Sequence, residues 1–130
     1  MIPSFRTSAC SILAVAALLG GCTSVAYDTT GETVAVYQFG EFKMLLNTTA
    51  SRTVKAAERA LQQLDLYQTA SEVKRFEARL TARARNDQRV LVIIQEVNSA
   101  QTLVRIRWGE AGQLTASRRL FDTIEANLGK

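Results

Sequence analysis

Few side chains in this sequence can do covalent chemistry. No histidine occurs among its 130 residues, and the two cysteines are Cys10 and Cys22. Without imidazole there is no histidine-based triad and no imidazole metal site. Ser51 and Lys55 stand four apart, the spacing of a serine–lysine pair on one helix face. That position is a helix's first turn, where serine caps and lysine is solvated. Glu72 and Glu77 are a possible carboxylate pair, but their odd separation sends them to opposite faces of one unbroken strand. Gly109-Glu110-Ala111-Gly112 has the GxxG spacing of RNA-binding loops, yet it is acidic and runs from strand to helix, so it reads as a turn. No catalytic residues, no cofactor and no metal are expected, and the chain reads as a protein that is not an enzyme.

The residue type with character is arginine. Arg79, Arg83, Arg85, Arg89, Arg105 and Arg107 all stand at even separations from one another in the second half of the chain, with Leu91 and Ile93 between them. Their meaning depends on the elements that carry them. Phe76, Ala78, Leu80, Ala82 and Ala84 alternate with charged or polar residues, the pattern of a strand with one dry face. Val90 to Val97 is a nearly continuous apolar strand, and Leu103 to Trp108 another. Residues 67–73 are either a short strand or a connecting loop. Thr33 to Leu46 is rich in β-branched and aromatic residues, interrupted by Gly40, which suggests one long strand with a bulge or bend.

Two helices complete the pattern. Ala50 to Leu64 places Val54, Ala57, Leu61 and Leu64 on one stripe, with candidate N-caps in Asn47-Thr48-Thr49 and a left-handed exit at Asp65. Leu114, Ser117, Phe121, Ile124 and Leu128 form the stripe of the second, and Gly129 follows its last turn as a cap. The order β-α-β-β-β(-β)-α predicts an α+β two-layer sandwich, an antiparallel sheet of four or so strands with both helices on one face. Pairing Arg85 with Arg89 and Val97 with Leu103 keeps face parity through loops of ordinary length. Leu80, Ala82, Val90, Val92, Ile94, Val104, Ile106 and Trp108 then face the helices. The six arginines surround Leu91 and Ile93 on the other face. There they form either a contact surface, with guanidinium groups forking to phosphates or carboxylates, or a solvated face whose arginine stems cover two apolar residues.

The amino-terminal residues have a different logic. Arg6 precedes an uninterrupted apolar run, Ile12 to Leu19, which is long enough for a secretory signal and too short for a membrane-spanning helix. The run ends in Leu19-Gly20-Gly21-Cys22, which resembles the lipobox of bacterial lipoproteins. The resemblance implies cleavage before Cys22 and a diacylglycerol on its sulfur. Cys10 leaves with the signal, so no free thiol remains for catalysis, thiolate metal binding or a disulfide. Thr23 and Ser24 follow with no aspartate, which by the same resemblance favours the outer membrane, facing the periplasm, over the inner one. Residues 1–21 are then the signal peptide, 22–32 the lipidated cysteine and a polar tether, and 33–130 a single domain.

With the lipobox, Tyr37-Gln38-Phe39-Gly40-Glu41-Phe42, an amphipathic helix, an alternating hairpin and a closing helix, the chain resembles a family of small bacterial lipoproteins of unknown function. The resemblance implies lipidation, envelope location and a compact α+β domain, and carries no catalytic residues. A glycine usual after the family's first helix is replaced here by Asp65. Without Arg6, fifteen basic side chains face twelve acidic ones, a mild excess that does not establish nucleic-acid binding. The expected role is a membrane-anchored binding or assembly module of the cell envelope. Its partner would be an envelope protein, anionic lipid, cell-wall polymer or a second copy of the chain.

Overall fold

In a computed structural model, residues 24–27 and 34–129 are described, 24–27 and Val34 by backbone alone. The signal-like segment and Leu19-Gly20-Gly21-Cys22 lie outside the described residues. The architecture is α+β: one antiparallel sheet covered on one face by two helices. Its strands are Ser24–Tyr27 (β1), Val34–Gln38 (β2), Glu41–Leu46 (β3), Tyr67–Val73 (β4), Glu77–Arg83 (β5), Arg89–Asn98 (β6) and Gln101–Trp108 (β7). They lie in the order β1-β2-β3-β7-β6-β5-β4, so the sheet has seven strands where four or so were expected. Helix α1, Ala50–Gln63, carries the chain from β3 to β4 at the far edge; α2, Leu114–Leu128, follows β7.

Three differences account for the extra strands. The expected long strand over 33–46 is a hairpin, because Phe39 (φ 53°) and Gly40 (φ 76°) both adopt left-handed backbone and reverse the chain. Two such residues make the tight turn that matches strand twist, but asparagine, aspartate or glycine is the usual occupant of the first position. A left-handed phenylalanine costs roughly 1–2 kcal/mol. The ambiguous stretch after α1 is the edge strand β4. Finally, Ser24–Tyr27, within the stretch read as a tether, pairs with β2, Ser24 opposite Tyr37 and Tyr27 opposite Val34.

The buried face follows the alternation. Leu80, Ala82, Val90, Val92, Ile94, Val104 and Ile106 are buried with Phe42 and Met44 of β3, while Trp108 is half-buried at the margin. Face parity is as predicted, but both hairpins pair two residues away from the expected register. Arg83 lies opposite Arg89, and Gln95 opposite Leu103, with a two-residue turn at Ser99-Ala100. A shift of two leaves every side chain on its own face.

Helix α1 meets the core through Thr53, Ala56, Ala57, Ala60 and Leu61, whose small side chains allow close approach; Val54 and Leu64 are only partly buried. Thr53 is tolerated because its hydroxyl donates to the Thr49 carbonyl at 2.9 Å. Thr49 is the N-cap, accepting from the Arg52 amide. At the other end Asp65 takes the left-handed conformation (φ 56°) predicted for it. The Leu66 amide donates to the Leu61 carbonyl and the Asp65 amide to that of Gln62, so these two carbonyls of the last turn are satisfied. Helix α2 buries Ser117, Leu120, Phe121, Ile124 and Asn127, leaves Leu114 exposed, and ends at Gly129 in a right-handed conformation (φ −82°). Phe121 packs on Phe42 with ring centroids 5.4 Å apart, and Asn127 exchanges hydrogen bonds with Gln63 of α1.

Candidate functional site

The uncovered face of the sheet carries the arginines. Arg79 and Arg105 flank Ile93 on neighbouring strands. Ile93 is only 7% exposed although no helix lies over this face. The stems of the flanking arginines are the apolar surface available to cover it. Ile93 is therefore not available as a docking side chain, whereas Leu91 remains half-exposed.

Most of the guanidinium groups have internal partners. Arg105 Nε donates to Glu41 Oε1 at 2.7 Å and Nη2 to Oε2 at 3.3 Å, a two-pronged pair from β7 to β3. Burial pushes the Glu41 carboxyl up, but the hydrogen bond and charge of Arg105, with Lys43 nearby, outweigh it and hold the group below its ordinary value. The Glu41 hydrogen bond in turn raises Arg105 against partial burial. Glu41 is thus a carboxylate at neutral pH and has no character of a general acid. Arg79 lies 3.6 Å from Glu77, and Arg83 3.0 Å from Asp87. Arg85 leaves the group: β5 ends at Arg83, and Arg85 reaches from the following loop to Asp65 at 3.4 Å.

At the end of the sheet where β5 turns into β6 and β7 runs toward α2, the face opens into a depression of about 860 Å³. Arg83, Arg89 and Arg107 line it together with Leu91, Asp87 and Glu110. Arg107 is oriented by two hydrogen bonds to the Glu110 carbonyl, at 2.9 and 3.3 Å. Arg89 stands directly opposite Arg83 across the hairpin. Like charges so placed repel. Asp87 neutralises only Arg83, and the Arg89 guanidinium has no ion-pair or hydrogen-bond partner among the described residues. The floor is stiffened by Gln88, whose Oε1 accepts from Trp108 Nε1 and Gln113 Nε2. One wall is Gly109–Ala111, in the turn read from the GxxG spacing; Gly109 (φ 74°) and Gly112 (φ 81°) are both left-handed.

Gly112 also packs back-to-back with Gly40 of the β2–β3 turn, where a Cβ on either would overlap the other loop's backbone. Sequence reasoning missed this junction, the Glu41–Arg105 pair and Gln88. The first two depend on β3 lying beside β7, which no local pattern encodes. Gln88 falls in the loop expected between Arg85 and Arg89, but its partners Trp108 and Gln113 are distant in sequence.

A depression with three guanidinium groups can hold an anion through forked hydrogen bonds. It supplies no nucleophile beside a base. Ser51 and Lys55 are both exposed on the first turn of α1, where Ser51 Oγ lies 3.5 Å from the capping Thr49 hydroxyl. Glu72 and Glu77 fall on adjacent strands rather than one, each beside its own cation, Lys74 and Arg79. Among the described residues no group of three potential metal ligands occurs, and no helix is long and apolar enough to cross a membrane.

A family described as "Protein of unknown function (DUF3568)" matches residues 6–127. The chain belongs to that family. The matched span takes in the apolar run, Leu19-Gly20-Gly21-Cys22 and nearly all of the folded domain. No curated protein matches the chain.

Proposed function

We propose that this DUF3568 protein is a lipoprotein of the bacterial envelope, a non-enzymatic binding or assembly module held on the outer membrane by acyl chains on Cys22. The observation that carries the reading is Leu19-Gly20-Gly21-Cys22 at the end of a run too short to span a bilayer. The folded domain supports a binding role: its polar concavity gathers anion-binding side chains without a nucleophile or proton-transfer pair. The contact surface is narrower than the whole arginine face. It centres on Arg83, Arg89, Arg107 and Leu91, which line the depression, since Ile93 is covered, Arg85 turns away, and Arg79 and Arg105 lie outside it.

An acidic envelope protein is one occupant of that surface. Anionic lipid is the second, and the register of β1, which brings this end of the sheet close to Cys22, favours it. Mass spectrometry of the membrane-extracted chain tests the anchor. The expected result is a mature amino terminus at Cys22 bearing acyl chains, with Cys22→Ser released from membranes. An unmodified amino terminus, with Cys22→Ser still sedimenting with membranes, overturns it.

A further inference from the structure

Two ends of the sheet have the surface chemistry of a membrane contact. At one, the β4–β5 turn exposes Phe76 beside Lys74 and Arg75, with Val73 and Val97 nearby. At the other, the β2–β3 turn exposes Phe39, which is 79% accessible. Surface character alone does not choose between them.

The register of β1 does. Ser24 pairs with Tyr37, two residues before Phe39, so the chain enters the sheet at the Phe39 end. Only Thr23 separates Ser24 from Cys22, which limits the Cα–Cα distance between them to about 7.6 Å. The other end is roughly 23 Å away, the length of the seven steps along β7. An anchor on Cys22 therefore holds the Phe39 end near the bilayer. The ten-residue reach of a free tether is cut to two residues.

The same end carries the arginine depression. Gly40, which follows Phe39, packs on the Ala111–Gly112 backbone, and Ala111 lines the depression. Phe39 and the arginines thus belong to one rigid tip. Phe39 also occupies a left-handed turn position that disfavours it, and it makes little use of the protein's own core. Burial outside the protein gives the side chain a use consistent with that cost. Arg83 and Arg89 stand opposite each other, and of the two only Arg83 is paired with a carboxylate, that of Asp87, so an added anion would relieve the remaining repulsion.

We propose that this end of the sheet lies against the membrane, with Phe39 at the acyl boundary and the Arg83–Arg89–Arg107 depression holding the phosphate of an anionic phospholipid. The inference rests on the lipidation reading, and its test separates the two. Lipidated protein carrying Phe39→Cys or Phe76→Cys is labelled with a polarity-sensitive dye and reconstituted into phosphatidylcholine vesicles with or without phosphatidylglycerol. Flotation comes first: protein that does not float, and whose Cys22 itself takes the dye, overturns the anchor and this inference with it. For protein that floats, the label at 39 is expected to shift to the blue and to resist an aqueous quencher several-fold better than the label at 76. Phosphatidylglycerol should increase the difference, and combined Arg83→Gln and Arg89→Gln substitution should abolish that increase. Equal quenching at both labels, or protection at 76 alone, overturns the orientation. Protection at 39 that ignores both phosphatidylglycerol and the arginine substitutions overturns the headgroup site.

Discussion

The two faces of this sheet are built from the same strands and behave as different materials. On the inner face Leu80, Val92, Ile94, Val104 and Ile106 are sealed under α1 and α2. On the outer face, one residue along each strand, Arg79, Ile93 and Arg105 lie side by side with no second layer above them. Ile93 is nonetheless nearly as inaccessible as the core. The cover available to it is the stems of the two flanking arginines, whose heads pair with Glu77 and Glu41, whereas the core's cover is close-packed hydrocarbon. Burial alone therefore does not measure what a side chain contributes; what buries it decides how much is lost when it is cut away.

Truncation at each face sharpens that contrast. Leu80→Ala, at a position with no accessible surface under the two helices, is expected to cost about 2–5 kcal/mol in denaturant unfolding. Ile93→Ala should cost markedly less, because the arginine stems can collapse onto the smaller residue. Equal losses would break the distinction between the two kinds of cover. Gly112→Ala comes next, at about 2 kcal/mol or more, since the position is left-handed and its Cβ would overlap Gly40.

The polar bonds of the outer face are worth less. Glu41→Gln weakens the pair with Arg105, whose side chain is about one-third exposed, and should cost about 1 kcal/mol near neutral pH. The sign with pH follows from the lowered Glu41 carboxyl. Its contribution is present above the unfolded-state value and is lost as pH falls through the folded-state value. Chemical denaturation across the acid range should show wild type and Glu41→Gln converging as pH drops; a gap that persists or widens contradicts the pairing. Beneath the helices the sign reverses. Ser117 Oγ is buried and has no hydrogen-bond partner among the described residues, so Ser117→Ala should raise stability by up to about 1 kcal/mol. Arg85→Ala should change stability by less than about 0.5 kcal/mol, because its pair with Asp65 is open to water on both sides.

The difference between the faces also explains what the amino-acid sequence disclosed. Alternation in residues 76–108 depends only on which side of a strand each side chain leaves, so the dry face, the arginine face and their parity were readable directly. The Asp65 helix exit was readable too, because it is a local backbone preference. Register was not, since a shift of two conserves every face assignment. The Phe39-Gly40 reversal was hidden because phenylalanine is an unusual first residue for that turn. β1 was hidden because Ser24-Val25-Ala26-Tyr27 is only four residues long, too short for a pattern to stand out, and pairs as an added edge through backbone bonds. Within the depression, Arg83, Arg89, Arg107 and Leu91 were named in advance, while Gln88 and the glycine junction came from contacts between distant segments.

The order of the strands has a consequence in time. β3 is bounded on one side by β2, close in the chain, and on the other by β7, whose first residue lies 55 positions after the last residue of β3. A chain made from its amino terminus can close the β2–β3 hairpin early and the β4–β7 meander as a local unit, but the seam between them joins only after Trp108 has emerged. Until then one edge of β3, with Phe42 and Met44 uncovered, waits unpaired. Loop closure over that span makes the seam the slow step of folding, and the interval before it is when the nascent domain most needs protection from its neighbours.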